Sequence, residues 1–161
     1  MFKLFNKHQN NLELKSIGNG EVIDLSEVED PVFSQKMMGD GYGFKLQDGK
    51  VYSPVSGKIT MVPDTKHGIG LATDDGMEIL VHMGIDTVEL KGEPFEVLVN
   101  EGDQVSSGDP IAIMDMDKIT AAGKKTTTMV IVTNSNYLDV SANLELGTKR
   151  TGDLAATMVK N

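Results

Sequence analysis

His67 and His82, two of the chain's three histidines, stand in short alternating runs on either side of Asp74-Asp75-Gly76. Near neutral pH an uncharged imidazole can serve as nucleophile, general base or metal ligand. Polar and apolar residues alternate on both sides of the turn, which predicts a β-hairpin. A two-residue loop at Asp74-Asp75 would set His67 directly opposite His82. A loop at Asp75-Gly76 would set His67 against Gly84 and leave His82 as its diagonal neighbour. Either register keeps the two Cβ atoms about 4.5–8 Å apart on one face. Two imidazoles held there suit either a nucleophile pair or an incomplete metal site.

The neighbours sharpen this. Thr65 precedes His67 by two positions and Asp86 follows His82 by four, so the pair has a hydroxyl and a carboxylate within reach. A single strand histidine is usually structural; two in register are harder to explain that way. His8, in a polar run, reads as inert. A dedicated zinc hydrolase needs three protein ligands and an open position, and the chain has no cysteine, no His-x-His and no His-Glu-x-x-His. Asp74 and Asp75 are explained by their turn. The run from Gly39 to Gly43 lacks the lysine and helix of a P-loop and reads as a tight turn. Met116-Asp117-Lys118 superficially resembles the modified lysine of lipoyl and biotinyl carriers. That alternative, modification on Lys118, leaves both histidines unexplained, and residues 119–123 look helical instead of forming a second flanking strand.

These groups need a rigid frame. The 161 residues suffice for one domain with a sizeable core. Zero cysteines excludes disulfides and thiolate chemistry and suits a reducing compartment. No apolar run reaches membrane-span length and the start lacks a signal-peptide core, so a cytoplasmic location is expected. A net charge of −9 argues against nucleic acid and suits steering toward a basic partner. Ten methionines supply core filler or an adaptable docking surface.

From residue 17 onward, short apolar runs are punctuated by glycine, proline and Asp-Gly. That predicts a single all-β domain over 17–161, an antiparallel sandwich or flattened barrel. Residues 115–124 and 34–38 allow one or two short helical turns. SPVSGKI (53–59) and EGDQVSSGDPIA (101–112) form a faint internal echo. Residues 1–16 read as a flexible arm, whose Phe2, Leu4 and Phe5 beside Lys3 and Lys7 give at most weak membrane contact through residues 1–7.

The run VHMGIDTVELKGEPF (81–95), with TKH (65–67), DPVFSQKMMGDG (30–41), SPVSG (53–57) and GDQVSSGD (102–109) in order, resembles the glucose-type enzyme IIA family. That family belongs to the bacterial phosphoenolpyruvate:sugar phosphotransferase system. The resemblance runs from about Gly18 to the C-terminus. Leu80 and Pro63 stand where some members carry phenylalanine, Met83 replaces a phenylalanine or isoleucine, and SIGNGE (16–21) replaces the usual Ala-Pro opening.

The resemblance implies a β-sandwich of the duplicated hybrid motif type, here as a free-standing monomer with phosphotransferase activity. It implies that His82 is phosphorylated at Nε2, that His67 assists onward transfer and that Thr65 orients His67. Asp30 and Asp86 would rim the site and face the donor's positive charge. Val32, Phe33, Met37 and Met38, together with Ile69, Leu80 and Met83, are the expected apolar partner surface. The donor would be the phosphocarrier HPr and the acceptor a cysteine on the IIB domain of a sugar permease, with regulated enzymes or transporters as further partners. No cofactor is required, although the two imidazoles could share zinc with a partner carboxylate.

Overall fold

Glycine, proline and Asp-Gly pairs cut the chain into fourteen short strands in the computed structural model, which describes residues 11–161. The strands are β1 (Leu12–Lys15), β2 (Gly20–Ile23), β3 (Asp40–Leu46), β4 (Lys50–Tyr52), β5 (Gly57–Met61), β6 (Gly68–Ala72) and β7 (Glu78–Ile85). They continue with β8 (Phe95–Val97), β9 (Gln104–Val105), β10 (Pro110–Met114), β11 (Lys125–Val132), β12 (Val140–Leu144), β13 (Gly147–Lys149) and β14 (Leu154–Lys160). The largest sheet has the order β13-β2-β3-β11-β7-β6-β5-β9, and smaller sheets run β1-β14-β12 and β4-β10-β8. The strand pairings are antiparallel throughout. The fold is therefore the antiparallel β-sandwich expected from the sequence.

Alternation sets what each strand buries. On β7, Ile79, Val81 and Met83 join the main core with Tyr42, Phe44 and Ile111, while Leu80 and His82 point the other way. That other face carries a second, smaller core. Met129 and Ile131 of β11 stand beside His82 and Leu80 and pack with Ile23, Leu25, Val28, Phe33 and Ile85. The lid over it is the 3-10 turn Leu25–Glu27 and the helix Pro31–Ser34. Asp24 and Asp30 start these two turns by accepting hydrogen bonds from the Ser26 and Val32 N–H groups, each at 2.9 Å.

Three expectations change. The flexible arm does not extend through residue 16: Leu12–Lys15 pairs with β14, and Leu14 and Ser16 are fully buried. The strand's partner comes from the far end of the chain, so no local signal announces it. Residues 1–10, including His8 and the membrane contact assigned to residues 1–7, lie outside the described residues. The helical turn expected at 34–38 begins earlier, at Pro31, where proline at the first position and the Asp30 cap favour it. The Gly39–Gly43 run is mostly strand β3 rather than a turn, because Gly41 lies against the Val130 carbonyl and Gly43 against Ile23 and Val28, with no room for a side chain. The helix within 115–124 is Met116–Ala121. No helix among the described residues is long and apolar enough to cross a membrane.

Candidate functional site

The Asp74-Asp75-Gly76 loop decides how the two histidines meet. Thr73 N–H donates to the Met77 carbonyl at 2.9 Å and Gly76 N–H to the Thr73 carbonyl at 3.1 Å, with Gly76 at φ 94°. This is a three-residue connection, not either of the two-residue loops expected. The residue opposite His82 is consequently Gly68, and neither expected register forms.

His67 lies just beyond β6, and its carbonyl accepts the Met83 N–H at 2.7 Å. Uninterrupted strand would turn a residue opposite Met83 into the core. Lys66 is left-handed instead, at φ 58°, and its N–H closes a turn on the Pro63 carbonyl at 2.9 Å. The His67 ring lies against His82, with centroids 5.1 Å apart and planes at 77°.

Hydrogen bonds distinguish the two rings. His82 Nδ1 is 2.9 Å from the Gly84 carbonyl oxygen. A carbonyl only accepts, so Nδ1 carries the proton and Nε2 keeps a free lone pair. His67 Nδ1 is 2.7 Å from Thr65 Oγ1, a hydroxyl that can donate or accept.

Burial holds His82 below its ordinary pKa of 6.5, and repulsion from His67 adds to this. The Gly84 bond and the charges of Asp30 and Asp86 pull the other way without reversing it. Burial likewise lowers His67. Both rings are thus held neutral at pH 7. The Phe33 ring walls one side of His82, centroid to centroid 4.8 Å.

On the other side Gly68 and Gly70 stand opposite His82 and Leu80; both are buried, Gly68 beside the Leu80 side chain and Gly70 under Thr60 and Met61. A shallow cavity of about 330 Å³ continues there, lined by Met38, Thr60, Met61, Gly70 and Leu80. Neither imidazole lines that cavity or the hollows of about 670 and 640 Å³ elsewhere, so a cavity does not mark the site.

The expected residues sort themselves accordingly. Thr65, His67 and His82 converge, and Asp30, Phe33 and Asp86 act on or touch His82. Val32, Met37 and Met38 are exposed on the segment that carries Phe33. Leu80 is half-buried beside the histidine pair. Ile69 and Met83 are corrected: both are fully buried in the main core and present nothing to a partner. Met83 neighbours His82 on one strand, so it must face the opposite side. Residue type in the sequence marks neither Gly84, whose carbonyl bonds the His82 ring, nor Gly68, which stands opposite His82 without a side chain.

The imidazole pair offers two metal ligands, short of the three that a catalytic zinc takes. Among the described residues no group of three or more His, Asp or Glu is placed to hold a metal ion. Lys118 sits within the helix Met116–Ala121, not at a hairpin tip.

Residues 12–138 match the family described as phosphoenolpyruvate-dependent sugar phosphotransferase system, EIIA 1. The glucose-specific EIICBA component of Streptococcus pneumoniae is 46% identical over 144 residues, 89% of this chain but 19% of that protein. The glucose-specific EIIA component of Staphylococcus aureus is 43% identical over 137 residues, covering 83% of this chain and 82% of its own. The solved glucose permease IIA from Mycoplasma capricolum superposes with a TM-score of 0.85 at 34% identity, over 91% of this chain and 95% of that one. The chain thus spans about a fifth of the first of these relatives and most of the second.

Proposed function

Since the chain belongs to the EIIA 1 family of the phosphoenolpyruvate-dependent sugar phosphotransferase system, we propose that it carries phosphate on His82 between HPr and a permease. The observation that carries this reading is the bond from His82 Nδ1–H to the Gly84 carbonyl, which leaves Nε2 unprotonated with its lone pair free. The Nε2 lone pair attacks phosphorus of the donor phosphohistidine in line. The donor's P–N bond breaks and its imidazole takes the electron pair. Nδ1 keeps its proton throughout, so the phosphorylated ring gains positive charge. The Gly84 carbonyl and the carboxylates of Asp30 and Asp86 stabilise that charge.

Such a transfer needs positioning and electrostatics more than covalent help. The apolar walls at Phe33, Met38 and Leu80 limit the water that would hydrolyse the phosphoimidazole. If the Thr65 hydroxyl donates to His67 Nδ1, the proton of His67 sits on Nε2 and can bind a phosphoryl oxygen. His67 then supports departure of the group to a cysteine thiolate on a IIB domain. The names of the relatives, both glucose-specific, favour a glucose-family permease as the acceptor. The phosphorylation state can also be read by other enzymes or transporters. The scheme uses no cofactor; a zinc ion at this pair would need a partner's carboxylate to complete it. Modification of Lys118 is the weaker reading, because its helix does not present the lysine as a carrier hairpin would.

Intact mass after incubation with phosphoenolpyruvate, enzyme I and HPr tests the proposal. The wild type should gain one acid-labile phosphate, His82→Ala should gain none, and His67→Gln should gain it but fail to pass it on. Full labelling of His82→Ala, or a stable adduct on Lys118, would overturn it.

A further inference from the structure

We infer that Thr87 is a positioning residue for the nucleophile, holding the Gly84 carbonyl where His82 needs it; the inference rests on the phosphoryl-carrier reading above. The Gly84 carbonyl is not held by the sheet. Opposite it, the pairing of β7 with β11 slips: Met83 faces Thr128 and Ile85 faces Lys125, which leaves Gly84 outside the ladder. Gly84 is left-handed, at φ 82°, so its carbonyl leaves the strand direction and meets Nδ1 of His82. Something else must fix that peptide.

Thr87 holds the peptide that precedes the Gly84 Cα and packs against that Cα. Its hydroxyl donates to the Met83 carbonyl at 2.6 Å and anchors the preceding peptide plane. Its methyl occupies the space that a side chain at Gly84 would need. Thr87 is fully buried, so water does not replace the hydroxyl. Asp86, which precedes it at φ 59°, makes no capping hydrogen bond for the 3-10 turn Thr87–Leu90. The side-chain tie between this turn and the active strand is therefore the Thr87 hydroxyl.

The Thr87 hydroxyl bonds Met83 and not His82. Its effect passes through Gly84 to the tautomer of the ring. Without the anchor the Met83–Gly84 peptide can shift, the Gly84 carbonyl that follows it leaves Nδ1, and the His82 proton is free to move to Nε2. In that tautomer the outward nitrogen has no lone pair to offer.

The experiment uses the full chain with three readouts: the ¹⁵N shifts of the His82 ring, single-turnover phosphorylation by phospho-HPr, and circular dichroism. Thr87→Val keeps the shape and removes the hydroxyl. It should give mixed tautomers at His82 and slow phosphorylation by about tenfold, the scale of one lost buried hydrogen bond, with KM for HPr unchanged. Thr87→Ser should restore both the Nδ1–H signature and the rate. A folded Thr87→Val with the wild-type tautomer and rate overturns the inference. So does a folded Thr87→Ser as impaired as Thr87→Val. Should the wild type accept no phosphate from HPr, the carrier reading fails by itself, and the ¹⁵N shifts of the variants still decide the role of Thr87.

Discussion

At His82 three influences contend for the ring. Burial and the neighbouring His67 favour the neutral form, while Asp30, Asp86 and the Gly84 carbonyl favour the charged one. Burial dominates, so the His82 titration midpoint should lie below 6.5 by NMR. Replacing Asp30 or Asp86 with asparagine should lower it further, and His67→Gln should raise it by removing a like charge. Phosphate acceptance should hold steady from pH 8 down to pH 6.5 and fall only as His82 protonates. The sign for stability follows. The unfolded chain takes up protons near 6.5 while the native rings resist, so this contribution is complete above 6.5 and shrinks as the pH falls below it. A His82 midpoint above 6.5 would contradict this account of the site.

Among the elements, the β6–β7 hairpin carries the site, and Gly68 keeps the position opposite His82 free of a side chain. A Cβ at Gly68 would meet Leu80 Cδ1 at 3.4 Å, an ordinary contact, and valine suits a strand better than glycine. Gly68→Val should therefore fold with an unchanged melting temperature to within a few degrees, yet place two methyls opposite His82. Phosphorylation by HPr should drop at least about tenfold, the equivalent of roughly 1.4 kcal/mol in the barrier; an unaffected rate would show that the donor approaches from elsewhere. The sequence discloses this hairpin through alternation and its Asp-Gly turn. It does not disclose the register, because Asp74-Asp75-Gly76 is compatible with loops of two or three residues and only the left-handed Gly76 selects three. Parity along β7 was available, and it places Met83 in the core. The strand at Leu12–Lys15 was hidden for another reason: its partner β14 lies at the other end of the chain. The Gly84 carbonyl could not be read at all, since backbone direction at a glycine leaves no mark in residue type.

Across the whole molecule, a net charge of −9 favours approach by a positively charged surface. Asp30 and Asp86 place part of that charge close enough to His82 to act on it. The second-order rate of phosphorylation by HPr should then fall as salt rises from low to physiological ionic strength, where the screening length is about 8 Å. The first-order rate within the complex should stay constant. A salt-independent second-order rate would mean that the apolar surface around Val32, Met37 and Met38 governs encounter instead.

β7 sits inside the eight-stranded sheet, hydrogen-bonded on both edges, whereas His67 lies beyond the end of β6 next to a left-handed lysine. Local opening in proteins begins at such strand ends and reaches central strands last. The two imidazoles are therefore unequally anchored. Under the proposed carrier role, the point that would receive phosphate is fastened to the interior of a sheet. The group that would help release it is mounted at a strand end, where acceptor binding would reshape the exit without disturbing the point of attachment.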